Sequence, residues 1–160
     1  MTSKFNIRLA SPSDLELLVK FRIAILRELN ILHDEAEAKL MESEFRNYIA
    51  SKMEKNELFC WLAEHSAKAA SVGMAVIYDA PPKSITHRGK EAYIFGIYTI
   101  PEMRGKGLGT LMMKHIIDQL HMQGYNNIWL RASQNGKPIY EKLGFVTSKK
   151  CNCEYMELIG

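Results

Sequence analysis

"IPEMRGKGLGTLMMKHI", residues 100–116, places three glycines at alternate positions directly before a run of apolar residues at helical spacing. A strand-like stretch, residues 91–100, leads into the glycines. The first N–H groups of a helix have no partner within it and lie at the positive end of its dipole, so this arrangement is typical of an anion site. Arg104 and Lys106 add cationic donors. We expect the loop to bind an anion; a plain tight turn with solvated charges is the alternative.

The spacing of the glycines excludes two familiar nucleotide-binding loops. A Walker A loop requires G-x-x-x-x-G-K-[ST], whereas this loop reads G-K-G-L-G-T from Gly105. The dinucleotide fingerprint G-x-G-x-x-G fails because its third glycine, Gly109, comes one residue early. That fingerprint also follows the first strand of its fold, and here roughly 100 residues precede the loop. Neither loop explains the glycines.

Composition predicts one ordinary globular domain spanning residues 1–160. Hydrophobic residues make up 47% and charged residues 24% of the chain. The net charge of +3 is mild and gives little support to nucleic-acid binding. The start of the chain lacks a long apolar region, and no stretch approaches the length of a membrane span, so we expect no membrane contact. Three cysteines suit a reducing compartment, so we expect a cytoplasmic protein. Cys151 and Cys153 are too few ligands for a metal site, and we expect no metal.

Periodicity and turn signals predict an α+β (mixed α/β) domain with a central, largely antiparallel sheet of about seven strands and about four flanking helices. The predicted strands are residues 5–10, 58–65, 69–80, 91–100 and 126–133 and a closing hairpin within 145–159. The predicted helices are residues 12–29, a segment within 34–55, 107–123 and 137–144. Ser11 is the expected N-cap of the first helix, with Asp14 in its first turn.

A second group of residues, "ASQNGKPIYEKLGF" at 132–145, follows the fifth predicted strand. Tyr140 lies in its short helix between Ile139 and Leu143, which have the spacing of a core-facing side. Tyr140 could therefore serve packing alone. Pro138 is compatible with a helix only in the first turn.

Together the two segments resemble a known family. "YTIPEMRGKGLG" resembles the acetyl-CoA signature of the GNAT superfamily of N-acetyltransferases, whose core is [RQ]-x-x-G-x-[GA]; Arg104, Gly107 and Gly109 match its three fixed positions. "IYEKLGF" is similar to the second signature of that superfamily, and the two lie about 30 residues apart in the expected order. The order of strands and helices is also similar, so the resemblance covers nearly the whole chain.

The resemblance implies a GNAT-like fold with splayed strands 4 and 5, and a role for each matching residue. Backbone groups of Ile97, Tyr98 and Thr99 are expected to pair with the acetyl group and pantetheine arm of acetyl-CoA. The N–H groups expected to hold its pyrophosphate are those of Arg104, Gly105, Lys106, Gly107, Leu108, Gly109 and Thr110. Tyr140 is expected to lie beside the thioester sulfur and protonate the leaving thiolate. Ser133 occupies the position where many members have an asparagine that contacts pantetheine.

These expectations define an acetyl-CoA-dependent N-acetyltransferase that acts on a primary amine of a small molecule or peptide by direct transfer in a ternary complex. The alternative function is a non-catalytic acyl-CoA-binding sensor or regulatory domain. Similar domains often pair, so a homodimer is possible. Candidates for the general base are Glu28, Glu64, His65, Glu91 and Tyr93. Cys60 lies in an apolar strand and is expected in the core rather than as a nucleophile.

Overall fold

The computed structural model describes residues 5–82, 89–147 and 158, and its elements follow the predicted order. The strands are β1 (Asn6–Leu9), β2 (Leu58–His65), β3 (Lys68–Asp79), β4 (Lys90–Thr99) and β5 (Ile128–Leu130). The α-helices are α1 (Leu15–Glu28), α2 (Glu35–Glu54), α3 (Leu108–Met122) and α4 (Lys137–Lys142). Single 3-10 turns at Pro12–Asp14 and Pro101–Met103 precede α1 and the glycine loop.

The described strands form one sheet in the order β1-β2-β3-β4-β5. All neighbours are antiparallel except β4 and β5, which are parallel. This confirms the predicted mixed α/β fold with a largely antiparallel sheet. The sheet has five described strands rather than about seven, and the closing hairpin predicted within 145–159 lies mostly outside the described residues.

Helices cover both faces of the sheet because each carries one apolar side. On one face, α1 and α2 bury Leu18 and Ile49 against Val72 and Met74. On the other face, α3 buries Met112, Met113 and Ile116 against residues that include Trp61 and Ile94. The sheet therefore separates two cores. No helix in the described ranges is both long and apolar enough to cross a membrane.

The strand β4 changes its side-chain alternation at a bulge. Phe95 pairs with Met74 and Tyr98 with Val72, so two residues of β4 stand opposite Gly73. Gly96, at the bulge, has a φ of 65°, which glycine adopts without the steric cost of a Cβ. As a result Phe95 and Tyr98 both pack on the α1 and α2 face, although their odd spacing would place them on opposite faces of a regular strand.

The entry to α1 is fixed by a bidentate ion pair. The two terminal nitrogens of Arg8 bond the two carboxylate oxygens of Asp14 at 2.8 and 2.9 Å, and the Ser11 N–H donates to the same carboxylate at 2.8 Å. Arg8 Nε also donates to Glu64 at 2.8 Å. Arg8 therefore ties β1 to both β2 and the turn before α1, and it holds the pKa of Asp14 well below its usual range.

We expect Asp14→Asn to lower the free energy of unfolding by about 1–2 kcal/mol at pH 7, because an amide keeps the Ser11 contact and loses the charge-assisted bonds. Since the folded-state pKa of Asp14 is lowered, its contribution is present above the unfolded pKa of about 4 and is lost as pH falls through the folded value. In urea unfolding from pH 7 to pH 2, the difference in stability between the two proteins should therefore shrink once the pH falls below about 4. Asp79→Asn, at the exposed pair with Lys90, is the matched control, and an equal loss there at pH 7 would contradict the assignment.

Candidate active site

The glycine loop between β4 and α3 takes left-handed backbone conformations at two positions. Gly105 has a φ of 73° and Gly107, the N-cap of α3, a φ of 78°. A Cβ added at either residue would meet no atom within 4 Å. Backbone conformation, not crowding, is therefore what requires glycine at these two positions.

The loop presents a row of unpartnered backbone donors. The N–H of Leu111 makes the first bond of α3, to the Gly107 carbonyl at 3.0 Å. Among the described residues, the N–H groups from Gly105 to Thr110 have no acceptor, whereas the Arg104 N–H already donates to Pro101 at 3.2 Å. The predicted donor row therefore starts one residue later than Arg104, at the positive end of a 15-residue helix.

The side chain of Arg104 braces the loop. Its Nε donates to the Thr99 carbonyl at 2.9 Å, and its Nη2 to Glu28 at the end of α1 at 2.6 Å. The guanidinium also lies over the Tyr98 ring, 5.2 Å from its centre. Lys106 donates to the Glu102 carbonyl at 3.0 Å and is exposed. In this arrangement the backbone supplies the free donors and Arg104 holds them in place.

Beyond the bulge, one edge of β4 is open. The strand β5 pairs with β4 only over three residue pairs, from Ala92–Ile128 to Ile94–Leu130. From Phe95 to Thr99, β4 has no strand partner on that side among the described residues. The backbone of Ile97, Tyr98 and Thr99 thus borders the gap that splayed strands leave. An extended molecule could pair there as an added strand would.

Tyr140 lies on α4, at the side of this gap. Pro138 occupies the first turn of α4, as required, and the Ser133 hydroxyl accepts the Gly136 N–H at 3.2 Å in the preceding turn. The Tyr140 ring folds over Gly136: a Cβ there would lie 2.8–3.0 Å from the ring and hydroxyl atoms. Burial, and next the nearby Tyr93 phenol, raise the pKa of Tyr140. Its hydroxyl therefore keeps its proton at neutral pH.

The two sequence segments meet in space. A Cβ at Gly109, in the first turn of α3, would lie 3.5 Å from Ile139 of α4, which is ordinary van der Waals contact. Leu108 and Tyr140 belong to the same apolar cluster. The structure thus packs the helix that carries Tyr140 on the helix that carries the donor row, and Ile97, on the open edge of β4, packs against the same apolar cluster as Tyr140. Ser133 lies in the turn before α4.

The five base candidates differ in their surroundings. Three carboxylates already accept hydrogen bonds: Glu28 from Arg104, Glu64 from Arg8, and Glu91 from Tyr78 at 3.2 Å. His65 lies beside the Phe5 ring. Tyr93 lines a cavity of about 300 Å³ between α1, α2 and the sheet. Cys60 is buried, and burial raises its pKa to about 12, so it lies in the core as expected.

Sequence reasoning missed two residues near the site. Gly136 lies against the Tyr140 ring. The only sequence feature that indicates this contact is the position of Gly136 four residues, or one helical turn, before Tyr140. Arg22 lines the cavity beside Tyr93. Its signal was visible, since it stands four residues from both Leu18 and Leu26 in the apolar stripe of α1. In the described part of the chain, no group of three or more His, Cys, Asp or Glu residues could hold a metal ion.

Comparison with known proteins gives a consistent result. The model of the acetyltransferase (GNAT) family matches residues 23–145. The ribosomal protein bS18-alanine N-acetyltransferases of Salmonella typhimurium and Escherichia coli strain K12 are each 40% identical to the chain over 58 residues, which are 34% of this chain. The match spans 39% of the length of these curated relatives.

Two solved structures are similar over almost their full length. A predicted acetyltransferase from Clostridium acetobutylicum, solved with acetyl-CoA, is 28% identical, with a TM-score of 0.83 over 97% of this chain and 96% of that chain. A GCN5-related N-acetyltransferase from Ralstonia eutropha JMP134 is 23% identical, with a TM-score of 0.81 over 94% of this chain and 98% of that chain. The second similarity concerns the fold alone.

We expect Gly107→Ala to lower the free energy of unfolding by about 1–2 kcal/mol, because a Cβ is disfavoured in the left-handed conformation. Gly109→Ala is the matched control in the same loop. Its backbone is helical and its added methyl fits beside Ile139, so stability should stay within about 1 kcal/mol of the wild type or rise. Guanidinium unfolding of the three proteins measures both effects. Equal stabilities of the two variants would show that the loop conformation does not require Gly107.

Proposed function

The chain belongs to the GNAT acetyltransferase family, and on that premise we propose that it transfers the acetyl group of acetyl-CoA to a primary amine of a small molecule or peptide. The amine attacks directly in a ternary complex. The observation that carries this proposal is the packing of α4, with the protonated Tyr140 phenol, on the first turn of α3, where the unpartnered N–H groups lie. The bS18-alanine N-acetyltransferases, named for an amine acceptor, support the acceptor class.

The described residues fit acetyl-CoA as cosubstrate. The N–H groups from Gly105 to Thr110 form a cradle for the pyrophosphate, and the bare glycines leave open space above it. The open edge of β4 at Ile97, Tyr98 and Thr99 offers backbone groups to the pantetheine arm. Ser133 can still donate its hydroxyl proton, since its oxygen is the atom that accepts from Gly136. When bound, acetyl-CoA supplies a thioester, which the amine attacks and from which the thiolate departs.

The chain's own residues then assist at two points. Backbone N–H groups on the open edge of β4 donate to the carbonyl oxygen as negative charge develops on it. Tyr140 holds a proton at neutral pH and donates it to the departing sulfur. The amine nitrogen loses one proton as the amide forms, and a proton returned through solvent restores the phenol. The buried Cys60 thiol, with its pKa of about 12, is unsuited to forming an acyl-enzyme, which supports direct transfer. We place the reaction in the cytoplasm, in line with the cysteine usage.

We expect Tyr140→Phe to lower kcat by about 100-fold at saturating substrates, because the thiolate then leaves without its proton donor. The affinity for acetyl-CoA should change little, since the ring is retained. Thiol release against a panel of amines measures turnover. The rise in melting temperature on adding acetyl-CoA, compared with ATP and NAD, measures binding.

Two outcomes would contradict the proposal. An unchanged kcat in Tyr140→Phe would remove the acid role, and stabilisation by ATP alone would remove the cosubstrate. Strong acetyl-CoA binding without thiol release from any amine would favour the sensor function.

Gly136 is a positioning residue for Tyr140, and a double-mutant cycle tests this role. Gly136→Ala should displace the phenol and lower kcat about 10-fold or more, because a Cβ would lie within 3.0 Å of the ring. In the Tyr140→Phe background, where no hydroxyl remains to position, the same change should have little further effect on kcat. Additive losses in the cycle would mean that Gly136 acts on the fold instead.

A further inference from the structure

Arg22 occupies an unusual place on α1. It lies four residues after Leu18 and four before Leu26, both of which are buried, so it shares the helix face that packs on the sheet. A cation in the apolar stripe of a helix costs free energy unless it finds a partner.

The described residues give Arg22 no such partner. Its Nε is buried and has no acceptor, and no carboxylate lies within 4.0 Å of the guanidinium among the described residues. The guanidinium instead lies over two rings, 5.3 Å from the centre of Phe45 and 5.7 Å from that of Phe95. Desolvation lowers the pKa of Arg22, yet an arginine stays charged at neutral pH. A half-buried guanidinium whose buried Nε has no acceptor among the described residues requires an explanation.

The cavity beside Arg22 gives one. Its volume is about 300 Å³, within the range of small-molecule sites, and its lining residues are Arg22, Phe45, Tyr48, Val76, Tyr93 and Phe95. Among the described residues of this lining, Arg22 carries the one formal charge, and the other five side chains are aromatic or aliphatic. The cavity thus combines a single cation with an apolar, largely aromatic wall.

The cavity also adjoins the reacting end of the site through Tyr93. Tyr93 lines the cavity with Arg22, and its phenol is near enough to Tyr140 to raise the pKa of that residue. Its ring stacks on Phe95 at 5.7 Å and on Trp129 at 4.3 Å, which fixes it between the two. Tyr93 therefore borders the cavity and lies near Tyr140.

We propose that Arg22 binds the carboxylate of the acceptor, and that the acceptor is a small amino acid with an apolar or aromatic side chain whose amine points towards Tyr140. A planar carboxylate matches the fork of donors on a guanidinium. A single cation balances a singly charged carboxylate, whereas a phosphate dianion would require more positive charge than this lining holds. The proposal rests on the proposed acetyl transfer and adds the substrate class to it.

The test uses acceptor pairs that differ only in the carboxylate: L-phenylalanine, L-leucine and L-methionine, each against its C-terminal amide. In the wild type, kcat/KM should favour the acid by about 10- to 100-fold, the worth of a charge-assisted hydrogen bond. Arg22→Met should abolish this preference, and Arg22→Lys should restore part of it, since lysine keeps the charge and loses the fork. Arg27→Met, at an exposed position on the same helix, should behave as the wild type.

Binding and stability measurements separate this proposal from the proposed function. Calorimetric titration of each acid and amide into the protein with CoA measures recognition without turnover. Preference for the acid that depends on Arg22, without thiol release from any amine, would sustain the carboxylate site and overturn acetyl transfer. Thiol release from amides or peptides at the same rate as from acids, unaffected by Arg22→Met, would overturn the carboxylate site and sustain acetyl transfer. Absence of both turnover and binding would overturn both.

The melting temperature gives an independent readout of Arg22. Because the half-buried guanidinium has no acidic partner among the described residues and its buried Nε has no acceptor, Arg22→Met should melt at the same temperature as the wild type or higher. A clear fall in melting temperature would mean that Arg22 supports the fold, and would overturn its assignment to a ligand. Acetyl-CoA should stabilise the variant as much as the wild type.

Discussion

The interruption of β4 is the constraint on which the rest of the structure depends. The bulge at Gly96 returns Tyr98 to the face that Phe95 already occupies, and pairing with β5 ends at Ile94. One strand thereby supplies a wall for the cavity on one side of the bulge and an open backbone edge on the other. A regular β4 would turn Tyr98 to the other face of the sheet, away from its contacts with Phe21 and Arg104.

The helix α1 connects the two parts of the site. Glu28 at its end holds Arg104, and through it the glycine loop, while Arg22 in its middle faces the cavity. The start of α1 is in turn fixed by the Arg8–Asp14 pair to β1. The loop and the cavity thus contact the end and the middle of one rigid element, so their separation depends on helix geometry rather than on flexible side chains.

Local signals predicted the elements well where one segment determines its own structure. The helix expected at 107–123 is Leu108–Met122, and the strand expected at 58–65 is Leu58–His65, since apolar spacing and the residues that flank each segment decide both, glycines for the helix and polar residues for the strand. The strand expected at 126–133 is only Ile128–Leu130, because its length depends on where β4 stops pairing, a property of a distant segment. The place of Arg22 in the apolar stripe of α1 is visible in the sequence, but its position beside a cavity is not, because that depends on α2 and β4, which line the cavity.

Arg104 and Arg22 have different roles in the site because their surroundings differ. Arg104 is exposed, and its guanidinium already bonds Glu28 and the Thr99 carbonyl. An exposed ion pair contributes on the order of 1 kcal/mol to stability, so the main effect of this one is to fix the geometry of the loop. Arg22 is partly desolvated and has no acidic partner among the described residues, so the cost of removing part of its water shell is not offset within the described part of the protein. A ligand carboxylate that pairs with Arg22 meets a guanidinium that is already partly desolvated in the folded protein. Its binding therefore gains more than pairing with an exposed arginine would, and the same placement makes the free protein less stable than an apolar residue would make it.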